Sequence, residues 1–184
     1  MTILAELHQD HVNLNKLLVI LRQKVNQLKA GQQPNFSLMA DLIDYISNYA
    51  DGHHHPREDK MYKCLADRNP ELDKHLFNCA KDHEALKSSS LQLKEAVDGI
   101  LHDSVMPMDE FASLLDDFVS LQMTHLNFEE GQLFPLIQES VSDKELAMIE
   151  KQLPKQEDPL FGEVQAREYM VLYKELMLEL SEAC

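Results

Sequence analysis

Along the chain, apolar positions recur in alternating steps of three and four, the spacing of helices packed along a seam. The first run reads Leu4, Leu7, His11, Leu14, Leu18, Leu21, Val25 and Leu28, with a histidine among the leucines. Gly31 and Pro34 interrupt it. A second helix is predicted from about Ser37 to Ala66, with Ile43, Ile46, Ala50 and Leu65 inward. Asn69 followed by Pro70 marks a third start, because Asn caps a helix well and Pro suits its first turn. Its seam is Leu72, Leu76, Cys79, His83, Leu86, Ser90, Leu93, Val97 and Ile100. After the break at "HDSVMPMD" comes a fourth, with Phe111, Leu114, Phe118, Leu121, His125, Phe128 and Gln132 inward.

The pattern predicts an all-α fold: a four-helix bundle over residues 1–140 and two additional helices in 141–184. Ser142 to Glu145 forms a capping box that should open a short helix ending near Leu153. A proline-bearing linker, "LPKQEDPLFG", leads to an amphipathic helix over 163–183, expected to pack on the bundle or to form a homodimer surface.

Composition narrows the function. The formal charge of -15 excludes a phosphate-tracking surface, so nucleic acid is not an expected partner. No apolar run approaches the roughly 18 residues of a spanning helix, and "MTILAELHQDH" lacks a signal-peptide core; a cytoplasmic protein without membrane contact is expected. Cys64, Cys79 and Cys184 have no C-x-x-C spacing, which predicts two buried apolar thiols and one at the C-terminus.

Residues 11–58 repeat as residues 83–129. "DHVNL" around His11 matches "DHEAL" around His83, and both histidines have Leu at minus 7, plus 3 and plus 10 and Val at plus 14. His54 with Glu58 matches His125 with Glu129, and the following acids Asp59 and Glu130 also correspond. Each half carries one histidine, then His-x-x-x-Glu.

The repeat selects among the three histidines of "GHHHPREDKMY". His54 has Ala50 and Ile43 on its face, as His125 has Leu121 and Leu114. His55 shares its face with Asp51 and Asp44, and His53 has Arg57 one turn on; these two are expected to be solvated or to sit outside the ligand set. His8, His75 and His102 have no partner in the repeat; Asp10 and Asp82, which adjoin the ligands, are expected to be solvated helix acids or else acceptors behind the ligand rings. Pro56 predicts a local distortion beside the site, which Gly52 can accommodate.

A single histidine on an apolar face is usually a satisfied core residue. Four at equivalent depth, two with a carboxylate one turn later, point instead to metal, because burying them without partners costs several kcal/mol per charge, as an order of magnitude. The candidate ligands are His11, His54, Glu58, His83, His125 and Glu129. Six donors exceed the four of a zinc site, and mixed imidazole and carboxylate donors suit iron or manganese, with carboxylates bridging two ions.

These residues, in "HHPRED", "DHEAL" and "HLNFEEGQLFP", resemble the hemerythrin-like HHE cation-binding family over roughly residues 3 to 140. The resemblance implies an up-down four-helix bundle around a non-haem centre of two iron ions, with manganese or zinc as alternatives. Oxygen-carrying hemerythrins have a second histidine one turn before the third-helix ligand, where this chain has Cys79, and an aspartate one residue beyond the position of Glu129. The pattern is closer to the branch associated with iron-centre repair and response to nitric oxide or peroxide. The expected function is binding or reduction of a small oxidant: oxygen, nitric oxide or peroxide. A metal-dependent sensing module without turnover and an oxygen carrier stay open.

Overall fold

The structure, a computed structural model, describes residues 2–153, 157–163, 165 and 167–182; Cys184 lies outside them. Helix α1 spans Ile3–Lys29 and α2 Phe36–Ile46. The chain continues from α2 without a break through a π-helical segment, Ser47–His54, into α3, His55–Leu65. Helix α4 is Pro70–Leu101 and α5 Met108–Phe128; a second π-helical segment, Glu129–Leu133, joins α5 to α6, Phe134–Ser140. Helix α7 is Asp143–Glu150 and α8 Met170–Glu182, preceded by a 3-10 turn at Arg167–Tyr169. The described residues contain no strand, and no described helix is long and apolar enough to cross a membrane.

Local chemistry sets the starts. Asn35 accepts from the amide of Leu38 at 3.0 Å, and Asn69 from that of Leu72 at 2.9 Å with Pro70 in the first turn. Ser142 and Glu145 form the capping box in both directions. Helix α7 ends at Glu150 rather than near Leu153, and the helix expected from residue 163 starts later, at the 3-10 turn.

Helix α1 packs against α5 and α2, and α4 against α2 and α5. The eight seam residues of α1 are all buried, and the buried set of α4 is the predicted seam from Leu72 to Val97, with Ile100 half-buried. Helix α5 departs from its predicted seam. Leu114, Leu121 and Phe128 are half-buried, Gln132 is exposed, and Leu115, Gln122, Leu126 and Leu133 are buried instead. The π-helical turn from Glu129 accounts for the last of these, Leu133 in place of Gln132, since a pattern extrapolated at 3.6 residues per turn loses phase there.

The core has two parts on either side of a polar layer. One, around Leu17, Leu21, Leu42, Phe111 and Phe118, includes Leu160, Leu172 and Leu176 from the C-terminal segment. The other, around Leu7, Met61, Leu72, Cys79, Leu133 and Ile137, includes Leu146 and Ile149 of α7.

Candidate metal centre

The polar layer consists of residues that ordinarily avoid the interior. His11 comes from α1, His54 and Glu58 from the π-helical segment and α3, His83 from α4, and His125 and Glu129 from the end of α5 and the start of the second π-helical segment. All six are buried, and both glutamates have no exposed surface. The π-helical winding explains one alignment. Ile46, Ala50, His54 and Glu58 are all buried at successive steps of four, whereas an α-helix would rotate each step away by roughly 40°. Wider winding keeps that row facing inward. Pro56, which has no amide hydrogen, falls in the first turn of α3, so the expected distortion takes the form of this widened segment.

The histidines meet in pairs. His11 Nε2 lies 3.0 Å from His54 Nε2, and His83 Nε2 lies 3.1 Å from His125 Nε2. The glutamates span the pairs. Glu58 Oε1 is 3.4 Å from both His11 and His54 Nε2, and its Oε2 is 3.5 Å from His83 Nε2. Glu129 Oε2 is 3.3 Å from both His11 and His125 Nε2, with Oε1 3.7 Å from His83 Nε2.

Behind three of the four rings stands a carboxylate. His11 donates from Nδ1 to Glu130 at 2.6 Å, His83 to Asp59 at 2.8 Å, and His54 to Asp10 at 3.1 Å. A carboxylate can only accept, so each of these rings carries its hydrogen on Nδ1 and, when neutral, a lone pair on Nε2. At His11 and His54 two such lone pairs then face each other, which is repulsive unless a proton or a metal cation lies between the rings and the carboxylates. His8 also donates to Glu130, at 2.9 Å, but its side chain is 59% exposed.

Without a cation the cluster holds protons. Burial alone would lower the pKa of His11, but the hydrogen bond to Glu130 and the charges of Glu58 and Glu129 raise it to about 10. His83 is likewise raised to about 10 against burial by Asp59, Glu129 and Glu58. His125 is lowered by burial and by neighbouring His83, despite Glu129. Glu129, although buried, is held well below the usual carboxylate range by His125, His83 and His11.

The same donor set is also arranged to hold a cation. Both oxygens of Glu58 and Oε2 of Glu129 are buried without a hydrogen-bond partner, and they point at the paired Nε2 atoms. Ligand-capable atoms of His11, His54 and Glu58 lie within 4.8 Å of one another, as do those of His55, Glu58, His83 and His125, and those of Cys79, His125 and Glu129. The hemerythrin HHE cation binding domain family matches residues 2–137. The chain belongs to that family. Comparison with curated proteins and with solved structures returned no match. As a member of the hemerythrin HHE family the chain is a cation-binding protein, and its buried His and Glu cluster fits a metal site.

Several features of this hemerythrin-type centre depart from the sequence expectations. His55 is not on a polar face but buried, 2% exposed, beside His83 and His125. Of the two roles open to Asp10, the structure shows the acceptor's: it accepts from His54 and from Tyr49 Oη at 3.2 Å. Cys64 is exposed, whereas Cys79 is buried, and burial with Glu129 and Glu58 nearby pushes its thiol up, so it stays neutral. Tyr62, which drew no notice in the sequence, donates to Glu129 Oε1 at 2.6 Å inside the site. Its counterpart in the repeat is Leu133, so only the hydroxyl's chemistry, and no symmetry, could have pointed to it.

Proposed function

We propose that this protein binds two iron ions in an up-down four-helix bundle and uses them to bind or reduce a small oxidant such as oxygen, nitric oxide or peroxide. The observation that carries the reading is the pairing of four imidazoles across two carboxylates: His11 with His54, His83 with His125, and Glu58 and Glu129 within 3.7 Å of members of both pairs. His11 and His54 would hold one ion, His83 and His125 the other, with both glutamates shared. Mixed nitrogen and oxygen donors favour iron or manganese over structural zinc. Bound iron would supply the electrons for reduction. The chain's own residues orient the imidazoles through Glu130, Asp59 and Asp10, fix Glu129 through Tyr62, and keep bulk water out with Leu7, Leu14 and Leu86, all buried.

A pocket of about 440 Å³, lined partly by Leu76, Phe77 and Ala80, reaches Asp59 and Tyr62, both of which contact the centre. It supports access by a small molecule toward the His83 side, and a pocket of about 190 Å³ lined partly by His11, Val12 and Leu126 supports access toward the His11 side. Residues 141–184 are proposed to be an extension packed on the bundle, supported by Leu160, Leu172 and Leu176 in the bundle's core. A cytoplasmic setting agrees with this chemistry.

Metal analysis of protein purified anaerobically from its host tests the reading, with absorption spectra on mixing the reduced form with each oxidant. About two irons per chain and rapid oxidation by one of the three are expected. One tightly held zinc would overturn it, and inertness toward all three would leave only binding.

A second reading, a sensing module without turnover, is favoured by one chain of contacts. From His54 it runs to Asp10 and Tyr49; Tyr49 stacks on Tyr45 at 5.6 Å, and Tyr45 Oη donates to Asp158 at 2.7 Å. Asp158 also accepts from the amides of Leu160 and Phe161 at 2.9 Å, so a chain of hydrogen bonds joined by one ring stack runs from the candidate ligands to the C-terminal segment.

A further inference from the structure

His55 is the buried histidine that the repeat does not account for. Its counterpart is Leu126, itself buried, so the position points inward in both halves and carries a donor in only one. The ring stacks on His83 with centroids 4.4 Å apart and planes at 13°, and meets His125 edge-on at 5.5 Å. Its Nδ1 lies 3.2 Å from Asp51 Oδ1, yet neither ring nitrogen nor either Asp51 oxygen makes an aligned hydrogen bond in the structure.

A core histidine kept for packing would have its nitrogens satisfied. This one instead shares a feature of His11, His54 and His83, a carboxylate near Nδ1, and leaves Nε2 buried without a partner. Ligand-capable atoms of His55, Glu58, His83 and His125 all lie within 4.8 Å of one another. Resting on the di-iron reading above, we propose that His55 is a further ligand of the ion held by His83 and His125, with Asp51 as the acceptor that orients its ring. Coordination through Nε2 fixes the hydrogen on Nδ1, where Asp51 accepts it, and so satisfies both buried groups at once.

The consequence is an unequal pair of ions. The ion at His83 and His125 would be held by three imidazoles and the ion at His11 and His54 by two, with Glu58 and Glu129 available to both. The exchangeable position therefore falls on the ion at His11 and His54, where a small ligand would bind.

The test uses the full chain, loaded anaerobically with ferrous iron, as wild type and as His55→Ala and His55→Phe; the second variant keeps a stacked ring without a donor. Circular dichroism and melting of the metal-free forms check folding. Mössbauer spectra of wild type should show two unequal ferrous sites, and the second iron should bind both variants at least about tenfold more weakly, with the inequality reduced. Equal sites in wild type, or wild-type affinity and spectra in either folded variant, would overturn the assignment of His55. A wild-type chain that takes up fewer than two irons overturns the di-iron reading itself, and this inference with it.

Discussion

His83 on α4 donates from Nδ1 to Asp59 on α3 at 2.8 Å, and Asp59 is the residue that follows the shared carboxylate Glu58. The same relation holds in the other half, where Glu130, next to Glu129, accepts from His11 at 2.6 Å. Each half of the repeat thus orients the solitary histidine of the other, and the halves interlock through the acids that come after the glutamates. Such partners set ring orientation and raise the basicity of a ligand. Asp59→Ala and Glu130→Ala should each lower metal affinity by about 10- to 100-fold with helix content unchanged. Competition with a chelator of known affinity measures it, and wild-type affinity in both would show that these acids do not orient the ligands.

Metal uptake should release protons. His11 and His83 sit at about 10 in the metal-free chain, so at neutral pH both rings are cations and must each give up a proton before Nε2 can bind an ion. Affinity should therefore rise as pH increases toward about 10. The stability of the metal-free chain should move the other way. A raised folded pKa stabilises fully below the unfolded value of 6.5, and that stabilisation is lost as pH rises through about 10. His55 and His125 are lowered, are neutral in both states above 6.5, and oppose stability only below it. Calorimetry in buffers of different ionisation enthalpy counts the protons, and melting with chelator present follows stability. A pH-independent affinity across this range would contradict the assignment.

Tyr62→Phe isolates one hydrogen bond. The phenol is buried, and burial with Glu129 and Glu58 nearby pushes its pKa far up, so it remains a neutral donor to Glu129 Oε1. Removing it strands a buried carboxylate oxygen, which should cost about 1–3 kcal/mol in denaturant unfolding of the metal-free chain. In the metal-loaded chain the loss should shrink, because a bound cation compensates the same oxygen. An equal loss in both forms would mean that the hydroxyl contributes packing rather than positioning.

Much of this arrangement was legible in the sequence because α1 and α4 are regular α-helices. Their seams hold phase from Leu4 to Leu28 and from Leu72 to Val97, and the repeat then selects His11 and His83 without reference to structure. His54 and His125 emerged for the same reason, by matching halves. What failed was extrapolation at 3.6 residues per turn through the π-helical segments. That assumption put His55 with Asp51 and Asp44 on a polar face, and placed Gln132 inward where Leu133 is buried. The repeat held a better signal: His55 aligns with Leu126, an apolar residue on α5 that has no reason to face water. Contacts such as Tyr62 to Glu129 and Asp10 to His54 join separate helices, and nothing local in the sequence specifies them.

The contacts from His54 through Asp10, Tyr49 and Tyr45 to Asp158 make a testable claim about coupling. Asp158 is the point of attachment: it accepts from Tyr45, Leu160 and Phe161, and Asn13 donates to its other oxygen at 3.3 Å. Asp158→Ala should therefore loosen the segment after α7 and speed its cleavage in limited proteolysis. If occupancy of the metal centre is linked to this docking, metal should slow cleavage of wild type, and by reciprocity the Asp158→Ala chain should bind metal more weakly. Tyr49→Phe separates the route from mere proximity, since it cuts the contact to Asp10 while leaving Asp158 and the ligands in place. In that variant metal should no longer protect the C-terminal segment. Protection equal to wild type would show that metal acts on the segment through global stability, and the relay would have no part in it.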